Sequence, residues 1–135
     1  MFPFSTLLRI KKVKGLVGWM GRVSNLNEFW SKAYEREFLR KGFDVHKDLK
    51  ITKKYFEDSQ KYDSRKAIKK LKIPVLLIYG EADDVVYPAE GLFFKTHAKT
   101  KVRLEVIKDL NHRFYGKAKE KVLKLSLSWI KNVLS

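Results

Sequence analysis

The sequence contains no cysteine, and this absence excludes several kinds of chemistry. Disulfide bonds, cysteine-ligated zinc and a thiol nucleophile all require a residue that the chain does not have. The sequence also lacks any apolar run near the roughly 20 residues that a transmembrane helix needs. Its first residues, MFPFSTLLR, have no leading positive charge and do not resemble a secretory signal peptide. We therefore expect a cytoplasmic protein that does not use the membrane.

Acidic residues are scarce relative to basic ones. The 135 residues include 30 Lys and Arg against 15 Asp and Glu, which gives a formal net charge of +15. One hypothesis is therefore a basic nucleic-acid-binding module or another non-catalytic interaction module. The lysines follow the polar faces of predicted helices and form no basic tail. This distribution predicts that nucleic acid would be bound only nonspecifically, through charge.

Hydrophobic patterning predicts an α/β fold in the second half of the chain. Residues 73–80 (IPVLLIYG) are a continuous apolar run that ends in glycine, typical of a parallel strand buried on both faces. Residues 102–107 predict a second strand, and residues 88–98 predict a helix between the two. This order is a βαβ unit. Apolar residues at steps of three and four then predict a terminal helix over residues 117–134.

The first half is predicted to be mostly helical, after a weak strand within residues 12–19. Ser24 or Asn25 can cap a helix that ends before Gly42, a favourable helix stop. Two shorter helices are predicted over residues 53–62 and 64–70.

Polar loops follow both predicted strands of the second half. The first loop contains Asp83 and Asp84, and the second contains His112. Catalytic groups gather at the carboxyl ends of parallel strands, where a carboxylate can orient an imidazole as a general base. A turn aspartate and a solvated loop histidine are the alternative on spacing alone.

The residues around these loops resemble the C-terminal third of α/β-hydrolases. The strand at 73–80 ends in the glycine of a Gly-x-x-Asp motif, residues 80–83, and two valines follow at positions 85 and 86. Residues 111–114 (NHRF) are similar to the histidine loop of that family. Residues 51–59 and 62–63 resemble the end of the cap in feruloyl- and cinnamoyl-esterase-like serine hydrolases. The resemblance implies a partial α/β-hydrolase fold, with about three parallel strands, flanking helices and a helical cap insertion.

The resemblance also divides the chain into three parts. Residues 1–24 match the sixth-strand region, residues 25–70 match the helical cap, and residues 71–135 match the C-terminal core with its acid and histidine loops.

Catalytic roles are implied by the same resemblance. Asp83 matches the catalytic acid, since it lies three positions after Gly80, and His112 matches the general base. Asp84 is the competing carboxylate. His46, in the predicted cap, and His97, near a predicted helix end, match no motif and are expected to be surface residues. No cofactor and no metal are implied.

The nucleophile of this family is missing from the 135 residues. Family members carry their serine in Gly-x-Ser-x-Gly, but no two of the 7 glycines here are four positions apart. The resemblance therefore implies part of a serine ester hydrolase that is inactive alone. Its expected partner is an N-terminal hydrolase half on a separate chain or a second copy of itself, and a small acyl ester is the substrate of the intact family. A split gene, a truncated remnant and a repurposed module all stay open.

Overall fold

The computed structural model describes residues 12–23, 32–46, 48–59, 61 and 64–135. The chain divides into two compact units. The larger comprises Met1–Val23 and Arg65–Ser135, and the smaller comprises Ser24–Ser64. The smaller unit covers most of the segment predicted to be a cap, and its role as a cap stays a prediction.

Strands and helices alternate along the described residues. In chain order they are β1 (Leu16–Trp19), α1 (Lys32–Lys41), β2 (Phe43–His46), β3 (Leu49–Thr52), α2 (Lys53–Ser59), α3 (Ser64–Lys70), β4 (Val75–Gly80), α4 (Ala89–His97), β5 (Val102–Ile107) and α5 (Lys117–Leu134). Among these described elements, none of the helices combines the length and hydrophobicity that a bilayer crossing requires.

The larger unit is built on a parallel sheet with the order β1-β4-β5. Val75 at the start of β4 pairs with Leu16 on one side and with Val102 on the other, and both pairings are parallel. Every residue of β4 is buried. The predicted α/β class, the βαβ unit and the terminal helix are therefore confirmed.

The alternation of side chains along β4 creates two hydrophobic clusters, because successive residues of a strand point to opposite faces. Val75, Leu77 and Tyr79 belong to one cluster, and Leu76 and Ile78 belong to the other. The helix residues that pack on these two faces are Ile68 and Phe94 for the first, and Val122 and Trp129 for the second. Full burial of one such side chain contributes about 1.5–3 kcal/mol, so β4 is the rigid centre of this unit.

The smaller unit contains a β-hairpin that the sequence did not predict. Strands β2 and β3 pair antiparallel, with Phe43 opposite Thr52. The prediction of a mostly helical first half is wrong for these residues. Each strand has only four residues, too few for alternation to stand out against helical neighbours, and Asp48 in the turn adopts a φ of 67°. Gly42 ends α1 as predicted, with a φ of 77° and its N–H donated to the Phe38 carbonyl.

Of the three helices predicted in the first half, two are described over other bounds than predicted and one agrees. The helix predicted from Ser24 or Asn25 is described from Lys32 onward, and its earlier residues lie outside the described ranges. The helix predicted over residues 53–62 ends at Ser59. The helix predicted over residues 64–70 is confirmed as α3.

Candidate active site

The loop after β4 holds the carboxylate of Asp83 in a fixed orientation. Its Oδ1 atom accepts hydrogen bonds from the backbone N–H groups of Val85, at 2.9 Å, and Val86, at 2.8 Å. An aspartate that bonds the N–H two residues further on forms a local turn. The side chain of Asp83 is 0% exposed. The turn therefore fixes one carboxylate oxygen and leaves Oδ2 to face another partner.

That partner is His112, on the loop after β5. Its Nδ1 atom lies 3.0 Å from Oδ2 of Asp83, although the two residues are 29 positions apart in the chain. The imidazole is 37% exposed, so one part of the ring contacts the buried acid while the side chain still reaches the surface. Asp109 and Phe114, on either side of this histidine, adopt positive φ angles of 57° and 55°. Such strain in non-glycine residues is common at functional sites.

Close backbone contact brings the two loops together at the end of β4. The N–H of Glu81 donates to the carbonyl of Ile107 at 2.9 Å, and the N–H of Ala82 donates to the carbonyl of Leu110 at 3.1 Å. A Cβ atom at Gly80 would overlap the carbonyl oxygen of Leu110. Glycine is therefore needed here for close approach between two backbones.

Replacing this glycine is expected to destabilise the fold and disturb the site. The change Gly80→Ala forces the two loops apart and should lower the free energy of unfolding by about 3 kcal/mol, as measured by urea titration. Gly21→Ala is the matched control, since a Cβ atom there meets nothing within 4 Å. It should change stability by no more than about 0.5 kcal/mol. Equal losses in the two variants would contradict the close-approach argument.

The surroundings of Asp83 favour its charged form. Burial alone raises the pKa of the Asp83 carboxyl, but the hydrogen bonds from Val86, His112 and Val85 outweigh burial and hold the pKa below its usual range. An ionised carboxylate only accepts hydrogen bonds, so Nδ1 of His112 must carry the proton in this contact. In the neutral ring, the other nitrogen, Nε2, then carries no proton and can act as a base.

The lowered pKa of Asp83 predicts a loss of stability in acid. Its folded pKa lies below the unfolded value of about 3.9. The contribution of the carboxylate is therefore complete above that value and disappears as the pH falls through the folded pKa. Urea midpoints should show Asp83→Asn less stable than the parent chain near about pH 6, with the gap narrowing below about pH 4.

Asp84→Asn is the control for this pH series. Asp84 is exposed, and its replacement removes the same charge from the neighbouring position. Its urea midpoints should run parallel to those of the parent chain. If the difference in urea midpoint between the parent chain and Asp83→Asn stays constant down to acid pH, the stabilisation does not come from the ionised carboxylate of Asp83.

The other candidates from the sequence lie away from this pair or outside the description. His97, near the end of α4, stacks on the Phe93 ring at 4.1 Å and contacts the Phe93 carbonyl through Nδ1 at 2.8 Å. Its contacts are those of a structural side chain. His46 belongs to β2 in the smaller unit, and its side chain lies outside the described residues. The structure brings together Asp83 and His112, and their catalytic roles stay a prediction.

Buried polar contacts tie the segment after β1 to β4 and α4. The hydroxyl of Tyr79 donates to the carbonyl of Gly21 at 2.7 Å, and the N–H of Val23 donates to Oε2 of Glu90 at 2.8 Å. Burial, together with the carboxylates of Glu90 and Asp83, raises the pKa of the Tyr79 hydroxyl well above its usual range. That hydroxyl therefore remains a donor. A tyrosine inside an apolar strand was the only sequence signal for this contact.

A further contact reaches the acid loop itself. The guanidinium of Arg22 donates to the carbonyl of Val85 at 2.8 Å. The N–H of Val85 is one of the two donors that hold Asp83. Arg22 thus helps to position the acid through one intervening residue. Sequence reasoning missed it, because the two residues are 63 positions apart. Within the described ranges, no cluster of three or more His, Cys, Asp and Glu side chains is arranged to hold a metal ion.

Known proteins share this architecture. The family model of the prolyl oligopeptidase family matches residues 20–135. No curated protein sequence gives a significant match. Among solved structures, alpha/beta hydrolase domain-containing protein 10 from mouse superposes with a TM-score of 0.82 at 17% identity, covering 98% of this chain and 58% of that one.

Two further structures show the same fold. Est1E from Butyrivibrio proteoclasticus has a TM-score of 0.63 at 17% identity, covering 91% of this chain and 52% of its own. The monoacylglycerol lipase of Paleococcus ferrophilus has a TM-score of 0.69 at 17% identity, covering 96% of this chain and 65% of its own. The chain thus spans between about half and two thirds of these three structures.

These matches favour a hydrolase fold over a nucleic-acid-binding module. At such low identities the superpositions show a shared fold, the α/β-hydrolase fold. The family match extends over most of the sequence. The chain therefore belongs to the prolyl oligopeptidase family.

Proposed function

We propose that this chain supplies the acid and the base of a serine hydrolase that cleaves carboxylic esters or related acyl groups. The observation that carries the proposal is the 3.0 Å contact between His112 and the buried, turn-fixed carboxylate of Asp83. An imidazole oriented by a carboxylate is the base that a serine hydroxyl needs to become a nucleophile. Two structural neighbours, the monoacylglycerol lipase of Paleococcus ferrophilus and the esterase domain of a Rhodothermus marinus protein, are by name enzymes that act on esters, which supports an ester substrate.

Each half of the reaction would use the same ring nitrogen. Nε2 of His112 would take the serine proton as the serine oxygen attacks the acyl carbon, and would then give that proton to the leaving alcohol. In the second half, Nε2 would deprotonate the water that attacks the acyl-enzyme, and the proton would return to the serine. Throughout, the carboxylate of Asp83 would accept a hydrogen bond from the Nδ1–H group of His112 and stabilise the positively charged ring.

The proposal places the nucleophilic serine on a polypeptide segment outside these 135 residues, an N-terminal hydrolase half. A second copy of the chain could cover the open side of the sheet, but it has no Gly-x-Ser-x-Gly of its own. Among the described residues, β1 pairs with β4 on one side only. Leu123, Leu127 and Ile130 on α5 are exposed although they are apolar. A segment that adds strands beside β1 and covers these side chains would complete the sheet. A stable complex of this kind that hydrolyses no ester would contradict the proposed function.

The chain alone is expected to show no ester hydrolysis beyond imidazole background. Without a serine beside Nε2, its rate on short p-nitrophenyl esters should equal the rate of the His112→Ala variant within experimental error. A fluorophosphonate probe, which reacts with activated serines, should leave the purified chain unlabelled in mass spectra. Stoichiometric labelling would show that the chain holds a nucleophile of its own.

A further inference from the structure

A second cleft lies at the end of the strands opposite to the one that carries Asp83 and His112. It is an open cleft of about 550 Å³, and its lining residues are Lys69, Lys70, Leu71, Lys72, Lys99 and Thr100. These residues precede β4 and β5, whereas Asp83 and His112 follow them. A strand of six residues is about 20 Å long, so the cleft is separate from the proposed active site.

Backbone structure holds the walls of this cleft in place. The N–H of Val75 donates to the carbonyl of Lys101 at 3.0 Å, and the hydroxyl of Thr100 donates to the carbonyl of Ile73 at 3.0 Å. Leu71 is buried at the base. The segment before β4 and the segment before β5 are therefore fixed side by side, and lysines of both segments line one cleft.

Among the residues that the structure describes, lysines line this cleft and no carboxylate does. Residues 64–80 and 91–104 contain no aspartate or glutamate. Among the described residues, no ion pair joins the ammonium groups of Lys69, Lys70, Lys72 or Lys99 to a carboxylate. Lysines in the last turn of α3 interact favourably with the helix dipole, but this accounts only for the first two of these side chains.

Another cleft of the same unit, called the balanced cleft below, combines lysines with carboxylates in its lining. It has a volume of about 480 Å³ and is lined in part by Lys117, Lys121 and Lys124. Glu105 and Glu120 line it as well. The two clefts thus resemble each other in size and in lysine content, and they differ in the presence of carboxylates.

We propose that the cleft of Lys69, Lys70, Lys72 and Lys99 binds a small oligophosphate, a compact anion of the pyrophosphate or tripolyphosphate type. Each ammonium group presents three donors and no acceptor, which suits phosphate oxygens. A multiply charged anion would be attracted by several of these ammonium groups at once. The lining consists of the lysines, Thr100 and one buried leucine, and no aromatic side chain is among these residues for a nucleobase to stack on. This site uses neither Asp83 nor His112.

The test compares two triple variants of the full 135-residue chain that remove equal charge. One is Lys70→Gln/Lys72→Gln/Lys99→Gln in the proposed site, and the control is Lys117→Gln/Lys121→Gln/Lys124→Gln in the balanced cleft. Binding of tripolyphosphate is measured by isothermal titration calorimetry at about 0.1 M salt, where charges beyond about 10 Å are screened. The first variant should bind about tenfold more weakly than the parent, and the control should change by less than about twofold.

Thermal unfolding is measured for both variants, and the single variants Lys72→Gln and Lys99→Gln serve if the first triple variant does not fold. Each single change should weaken binding about twofold. Equal weakening by both triple variants would mean that tripolyphosphate follows general surface charge, and the proposal would then be wrong. Absence of saturable binding to the parent chain, or tighter binding of duplex DNA that both triple variants weaken equally, would overturn it as well.

Discussion

A complex of this chain with the N-terminal half of a related hydrolase is expected to hydrolyse p-nitrophenyl esters at least about 1,000-fold faster than either part alone. The added segment should carry the first five strands and the serine elbow of a relative, and it should be co-expressed with the chain. The parallel edge of β1 and the exposed apolar side chains of α5 give it a surface on which to assemble. The serine would then meet a histidine that is already oriented by its acid.

Assembly and activity are measured separately in this experiment. Gel filtration reports whether the two segments form one soluble complex, and ester hydrolysis reports whether the site is complete. A serine-to-alanine variant of the added segment is the matched control, because it keeps the interface and removes only the nucleophile. A complex whose activity survives that change would show that the hydrolysis comes from elsewhere.

Sequence patterns were sufficient for the core of the larger unit because its signals are local. The strand β4 is apolar at every position, which few structures other than a strand buried on both faces explain. The helix α5 repeats apolar residues over 18 positions, and its bounds agree with the prediction. In both elements the determining information lies within the element itself.

Contacts between distant positions could not be predicted in this way. The bond from Val23 to Glu90 joins residues 67 positions apart, and the bond from Tyr79 to Gly21 joins residues 58 apart. No pattern in either segment encodes its partner. The role of Gly80 was likewise hidden, because the close approach of the Leu110 carbonyl exists only once two loops have folded against each other.

The choice between two adjacent aspartates shows where the sequence reached its limit. Resemblance to a family favoured Asp83 over Asp84, but spacing alone left both as candidates. The structure separates them physically, since Asp83 is buried and contacts His112 while Asp84 is exposed. We therefore predict a large loss of kcat on replacing Asp83 in an active complex, and little change on replacing Asp84.

In the reconstituted complex, Asp83→Asn is expected to lower kcat by about 10,000-fold. The backbone N–H groups of Val85 and Val86 would hold the amide oxygen of the new side chain where Oδ1 now lies. The amide NH₂ would then occupy the place of Oδ2 and donate to Nδ1 of His112. The imidazole would be forced to carry its proton on Nε2, and a protonated Nε2 cannot accept a proton from serine.

His112→Ala and Asp84→Asn complete this series, measured as kcat on the same ester. His112→Ala should reduce the rate to the level of the complex without its serine, since the two residues act as one unit. Asp84→Asn should change kcat by no more than about twofold, because the exposed carboxylate contacts neither the ring nor the turn. If Asp84→Asn is the more damaging change, the acid has been assigned to the wrong residue. If His112→Ala leaves the complex fully active, the base has been assigned wrongly too, and the contact between Asp83 and His112 is structural.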